Sequence, residues 1–211
     1  MIFLFDLDGV ILDTEQQYSY FYNAFGEKYL GVKNFGLTIK GQTLVQILSQ
    51  HIPDSETEAI LRRELNEFEL NMDYSFIPGA YEFLKKTKQA GIPSAIVTSS
   101  DNNKMQKLYA AHPEFQSMVD AILTSEHFTK SKPDPECFRK GMEVLGGSPE
   151  TAVVFEDSLH GLAAGRTSGA FVVGLPTSNP REVVAELCDM MIDNFEGVEP
   201  QQLIKLISQK R

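Results

Sequence analysis

Ile2-Phe3-Leu4-Phe5-Asp6-Leu7-Asp8-Gly9-Val10 is the stretch that decides how the chain reads. The apolar run at 2–7 predicts a short buried strand rather than a signal peptide, because no basic segment or cleavage site accompanies it. Two carboxylates two residues apart stand where that strand ends. Charge at the end of a buried strand is costly unless something compensates it. At the carboxyl edge of a parallel sheet, where ligands bind, such a pair points to chemistry more than to a turn with a capping Asp and a turn Gly.

Working outward, residues 15–77 contain no convincing strand. Helical stretches are predicted at 15–30, 43–49 and 55–71, the last opened by a capping box of Ser55 and Glu58. From Pro78 the pattern becomes strand–helix alternation. Helices are predicted at 80–90, ended by Gly91, and at 102–110. Others start at Asp134-Pro135-Glu136, with a capping Asp and Pro at the first helical position, at 158–167, and at Asn179-Pro180-Arg181-Glu182. Strands are predicted at 94–98, 119–123, 151–155 and 170–174. This alternation implies an α/β fold: a Rossmann-like parallel-sheet core with helices on both faces. The core would be residues 1–14 and 78–211, and 15–77 a small inserted α-helical cap domain joined by two chain crossings.

The 211 residues are 42% hydrophobic and 23% charged, with a formal net charge of −10. That charge speaks against nucleic acid as a partner, and no apolar stretch is long enough to span a membrane. It is compatible with a small phosphorylated substrate, since one metal ion and a few local cations reverse the potential inside a cleft. Cys137 and Cys188 lack metal-ligand spacing and are read as free thiols of a reducing cytosol.

Three further strand ends carry reactive residue types. Ile96-Val97-Thr98-Ser99-Ser100-Asp101 offers hydroxyls and backbone N–H groups for an anion, or a helix N-cap by Ser100 or Asp101. Lys130-Ser131-Lys132-Pro133-Asp134-Pro135 places Lys132 in a stiff turn, where a solvated lysine is the plain alternative. Val153-Val154-Phe155-Glu156-Asp157-Ser158 ends another buried strand in two acids, suited to a hard divalent cation, or to capping by Asp157. The fold rule brings all four strand ends to one edge of the sheet.

These four segments resemble motifs I to IV of the haloacid dehalogenase-like (HAD) superfamily, in order and at typical separations over nearly the whole chain. Phe5-Asp6-Leu7-Asp8-Gly9-Val10, Lys132-Pro133-Asp134-Pro135, Phe155-Glu156-Asp157-Ser158 and the place of the insertion are similar to the β-phosphoglucomutase-like branch. The resemblance implies that Asp6 is the nucleophile that becomes an aspartyl phosphate. It implies that Asp8 is the general acid and then the base for water, its carbonyl also ligating Mg²⁺. Thr98 and the N–H of Ser99 would hold phosphate oxygens, and Lys132 would neutralise nucleophile and phosphate. Asp157 would ligate Mg²⁺, with Glu156 supporting it directly or through water. Two neighbouring acids are expected to raise the pKa of Asp8, with Lys132 opposing.

The expectation is a cytoplasmic, monomeric, Mg²⁺-dependent phosphatase acting on a small phosphorylated metabolite, a sugar phosphate by family. Dehalogenases lack the second acid, Asp8. Phosphonatases use a cap lysine as Schiff base, and Lys28, Lys33 and Lys40 match no such motif. The resembling mutases carry a cap His where this chain has Tyr18 and an Arg where it has Leu44, which favours hydrolysis. Tyr18, Lys40, Gln42 and Thr43 either face the leaving group or pack within the cap. The histidines at 51, 112, 127 and 160 are read as structural. A response-regulator receiver also uses phospho-Asp, but without an acid pair on the first strand followed by an insertion. A catalytically dead binder of phosphometabolites is the alternative of another class.

Overall fold

A computed structural model describes residues 1–210 of the chain. Six strands, β1 (Ile2–Phe5), β2 (Ser94–Val97), β3 (Ala121–Leu123), β4 (Ala152–Glu156), β5 (Phe171–Gly174) and β6 (Met190–Met191), form one parallel sheet in the order β3-β2-β1-β4-β5-β6. β1 is central, with Phe3 beside Ser94 on one flank and Val153 on the other. Its near-continuous apolar sequence follows from burial on both faces. Side chains alternate across a strand, so Phe3 and Phe5 point to one side and Ile2 and Leu4 to the other. The first face packs on α5 (Ala80–Gln89), α6 (Asn102–Ala111) and α10 (Pro200–Lys210) through Phe83, Leu108 and Leu203. The second packs on α7 (Glu136–Val144) and α8 (Leu159–Ser168) through Phe138, Met142 and Ala164. α9 (Arg181–Leu187) covers the β5 side through Val184.

Between β1 and α5 the chain forms α1 (Glu15–Phe25), α2 (Phe35–Thr38), α3 (Leu44–His51) and α4 (Ser55–Asn71). These helices have their own apolar centre of Tyr22, Phe25, Phe35, Ile39, Ile47, Leu61 and Leu65. The aromatic stripe of α1 therefore buries within the insertion, as its helical spacing predicts.

Several element ends differ from the sequence expectation. The helix predicted over 15–30 is α-helical to Phe25, then widens into a π-turn over Gly26–Leu30 that stops at Gly31 with φ of +67°. α4 is capped by Asp54, whose carboxylate accepts the N–H of Thr57 at 2.7 Å, so Ser55 is the first helical residue and the expected Ser55–Glu58 box does not form. A capping box does form at α3, between Thr43 and Gln46. Asp134 accepts from the N–H of Glu136 at 3.0 Å, which starts α7 one residue later than expected. Ser158, not Asp157, caps α8 by accepting from Gly161 N–H. Asp101, not Ser100, caps α6. β6 and α10 were not expected. β6 is too short to carry a pattern, whereas the spacing of Leu203 and Ile207 in α10 is helical and legible.

The ring of Phe155 lies 4.6 Å from Phe5, 5.3 Å from Phe3 and 5.8 Å from Phe195, centroid to centroid. Phe155→Ala empties the middle of this aromatic cluster. It is expected to lower unfolding free energy by about 3–5 kcal/mol, read from urea denaturation; a loss below about 1 kcal/mol would contradict the cluster's central place.

Candidate active site

The site is assembled where parallel strands end. Asp6 directly follows β1, and its N–H still donates to the carbonyl of Phe155 at 3.0 Å, so the backbone is held in register as the side chain leaves the sheet. Thr98 directly follows β2, held by an N–H bond to the Leu123 carbonyl at 2.9 Å. Asp157 directly follows β4. One cavity of about 120 Å³ is lined by Asp6, Asp8, Thr98, Ser99, Lys132 and Asp157, with Tyr18, Lys40, Gln42 and Leu44 on the side of the insertion. Thr43 is not among its lining residues; it is buried as the N-cap of α3.

Lys132 is 2% exposed and bridges two acids. Its ammonium donates to Asp6 Oδ1 at 2.5 Å, to Glu156 Oε1 at 2.6 Å and to the Val97 carbonyl at 3.3 Å. Burial disfavours that charge, but the carboxylates of Asp6 and Glu156 hold the lysine well above its ordinary pKa. The other oxygen of Glu156 accepts from the N–H of Asp157 at 2.8 Å, the N–H of Ser158 at 2.9 Å and the Ser158 hydroxyl at 3.1 Å. Glu156 is thus committed on both oxygens: it anchors Lys132 and shapes the turn that aims Asp157. The chain leaves no room above it, since a Cβ on Gly161 would lie 1.7 Å from Glu156 Oε1.

Carboxylate oxygens of Asp6, Glu156 and Asp157 lie within 4.8 Å of one another. Burial first, then the neighbouring acids Glu15, Glu156 and Asp6, push Asp157 well above the usual carboxylate range. Burial likewise raises Asp6 against the pull of Lys132, with Glu156 and Asp8 adding to the rise. Clustered hard oxygens that resist ionisation in one place are the donor set a small divalent cation stabilises. Asp6 and Asp157 line the cavity, while the bonds of Glu156 place it behind them. Ser178 donates its hydroxyl to Asp157, and Gly9, at φ of +78°, passes so close that a Cβ there would sit 2.2 Å from Asp157 Oδ2. Only a glycine fits that approach and that backbone angle.

Asp8 corrects the sequence expectation. Its carboxylate is not held by Lys132 and its pKa is lowered, not raised. Burial alone would raise it, but the ammonium of Lys104 outweighs that, helped by hydrogen bonds from Lys104, Thr14 and Ser100. Lys104 Nζ donates to both carboxylate oxygens, at 2.5 Å to Oδ2, and Ser100 Oγ donates to Oδ2 at 3.0 Å. Thr14 donates to Oδ1. Glu15, raised to about 7 by burial against the opposing charge of Lys40, pairs with Lys40 at 3.3 Å. Sequence reasoning missed Thr14, Glu15, Lys104 and Ser178, and took Ser100 only as a cap. The one signal was Lys104 itself. A lysine in the first turn of a helix, where the dipole disfavours a cation, needs an acid nearby. Of the histidines, His160 lies nearest the site, its Nδ1 3.1 Å from the carbonyl of Lys40.

A family model described as haloacid dehalogenase-like hydrolase matches residues 3–175. The chain is 26% identical over 204 residues to a validoxylamine A 7'-phosphate phosphatase of Streptomyces hygroscopicus subsp. limoneus, spanning 92% of this chain and 94% of the relative. It is 28% identical over 220 residues to a β-phosphoglucomutase of Mycobacterium bovis, spanning 87% and 84%. The crystal structure of a HAD hydrolase, family IA, variant 3, from Entamoeba histolytica superposes with a TM-score of 0.82 at 22% identity, covering 98% and 99% of the two chains.

Gly161→Ala is expected to displace the Glu156 carboxylate and cost about 1–3 kcal/mol of stability, as overpacking does. Thermal unfolding checks this; an unchanged midpoint would mean that Glu156 is free to move.

Proposed function

Since the chain belongs to the haloacid dehalogenase-like hydrolase family, we propose that it is a Mg²⁺-dependent phosphatase that cleaves a small phosphorylated metabolite, of the sugar-phosphate class, through phospho-Asp6. The observation that carries this is the pair Asp6–Lys132: a buried carboxylate at the cavity wall, with an ammonium 2.5 Å away that neutralises it as a dianionic phosphate approaches.

The phosphate binds against Lys132, the hydroxyl of Thr98 and the N–H of Ser99. Asp6 attacks phosphorus, forming its acyl phosphate bond as the bond to the leaving oxygen breaks. Asp8, whose affinity for a proton the incoming phosphate dianion raises against the pull of Lys104, gives that proton to the leaving oxygen, and the alcohol departs. Asp8 then takes a proton from water as the water oxygen attacks phosphorus, releasing inorganic phosphate and Asp6. Asp6, Asp157 and the Asp8 carbonyl would hold Mg²⁺, with Glu156 behind them, and the ion would supply positive charge that lets nucleophile and phosphate share the site. Residues 15–77 serve as a cap that closes over the leaving group.

Hydrolysis is favoured over mutase chemistry by the wall of the cavity. A bisphosphate intermediate would need a free cation for its distal phosphate; on the side of the insertion Leu44, Ile39, Ile47 and Tyr22 present apolar surface, and Lys40 is already paired with Glu15 at 3.3 Å and donates to the Ser178 carbonyl at 2.8 Å. Tyr18 is also engaged, its hydroxyl donating to Glu69 at 2.9 Å.

Among the described residues no helix is long and apolar enough to cross a membrane. Cys137 and Cys188 are both free thiols.

Incubation with Mg²⁺ and a panel of sugar monophosphates, β-glucose 1-phosphate and pyrophosphate is expected to release inorganic phosphate. EDTA should abolish release and added Mg²⁺ restore it, and Asp6→Asn should be inactive. Glucose 6-phosphate formed from β-glucose 1-phosphate with little free phosphate would instead establish the mutase, and substantial metal-free activity would sink the mechanism.

A further inference from the structure

We propose that Lys104 is a positioning residue for the reaction: from the first turn of α6 it holds the carboxylate of Asp8 in the orientation from which the leaving oxygen is reached. The inference rests on the reading of Asp8 as the proton donor.

Lys104 is 2% exposed, although a lysine in the first turn of a helix ordinarily extends to solvent. Its ammonium reaches both oxygens of Asp8 and lies 3.1 Å from Ser100 Oγ, one helical turn before it. The ring of Tyr18 covers the ammonium, with Nζ 4.6 Å from the ring centroid. Asp8 and Lys104 both line the cavity, so the pair stands where the leaving group must sit.

Asp8 leaves the sheet two residues after Asp6, on a turn closed by a single bridge to Leu12 that fixes its backbone but not its side chain. Three donors from three places fix its side chain: Thr14 ahead of α1, Ser100 ahead of α6, and Lys104 within α6. Of these, Lys104 alone grips both oxygens, and so sets the plane of the carboxylate rather than one bond to it. α6 is itself tied to the insertion. Three residues beyond Lys104, on the same helical face, Lys107 pairs with the buried Glu69 of α4 at 2.8 Å. Glu69 in turn accepts from the Tyr18 hydroxyl. The orientation of Asp8 is thereby linked to the seating of the insertion on the core through Lys104, Tyr18, Glu69 and Lys107.

A proton donor matters in proportion to how poor the leaving group is. The test compares kcat/KM for p-nitrophenyl phosphate, whose leaving group departs without a proton, with that for phenyl phosphate, whose leaving group needs one far more. The proteins are wild type, Lys104→Met, Asp8→Asn and the double variant. Lys104→Met is expected to lose roughly 10- to 100-fold on phenyl phosphate and several times less on p-nitrophenyl phosphate, with KM little moved. In the Asp8→Asn background, Lys104→Met should add little further loss, because the two act as a unit. Lys104→Gln, which keeps a donor without the charge, should fall between, and it carries the test should Lys104→Met fold poorly by thermal unfolding. Equal losses on the two esters, additive effects in the double variant, or a loss confined to KM would overturn the proposal while leaving the phosphatase reading intact. Wild-type protein that cleaves neither ester with Mg²⁺ would overturn that reading, and this inference with it.

Discussion

The buried ammonium of Lys132 is the interaction on which the catalytic edge depends. Asp6 follows β1, Glu156 ends β4, and Lys132 comes from the turn before α7, so three distant parts of the chain meet at one charge. Without that cation, two carboxylates would lie side by side in a nonpolar surround, an arrangement several kcal/mol too costly to keep ionised. With it, the Asp6 carboxylate at the cavity wall is drawn back toward ionisation against the effect of its burial. The Phe138 ring, 4.9 Å from Nζ, closes the remaining side of the ammonium.

A second layer of charge pairing surrounds this one. Lys104 answers Asp8, Lys40 answers Glu15, and Lys107 answers Glu69. Asp157 has a hydroxyl, that of Ser178, rather than a cation as its close side-chain partner. An oxygen-rich point without a cation of its own thus lies beside Asp6, where a divalent cation would relieve the imbalance. Pairing of this kind seldom adds net stability. It orders groups, and at a site that transfers a phosphoryl group through positioning and electrostatics, order is the relevant gain.

The insertion brings apolar surface to the same cavity. Its four helices bury their own apolar centre, and they meet the core through Tyr18 and Phe68, which pack against the core's apolar cluster, and through polar contacts. These include Lys40 donating to the Ser178 carbonyl at 2.8 Å and Lys107 pairing with Glu69. Because the insertion has its own apolar centre, it can move against the core without unfolding either side. Ile39, Leu44 and Ile47 form an apolar wall opposite the polar edge of the cavity.

The sequence by itself determined the parallel sheet, the inserted helices and the four strand ends, because apolar runs, helical periodicity and turn residues are local patterns that survive in one dimension. It also determined that Asp6, Asp8, Thr98, Lys132 and Asp157 would converge, because right-handed crossovers place every strand end on one edge. The tertiary structure alone decided which charge answers which. Asp8 is partnered by Lys104, 96 residues away, rather than by Lys132, and this reverses the direction of its pKa. Glu156 turns inward to Lys132 and to the backbone of Asp157 and Ser158. Such pairings depend on a few ångströms of side-chain reach inside a buried volume, where electrostatic energy changes steeply with distance, and no spacing along the chain encodes that.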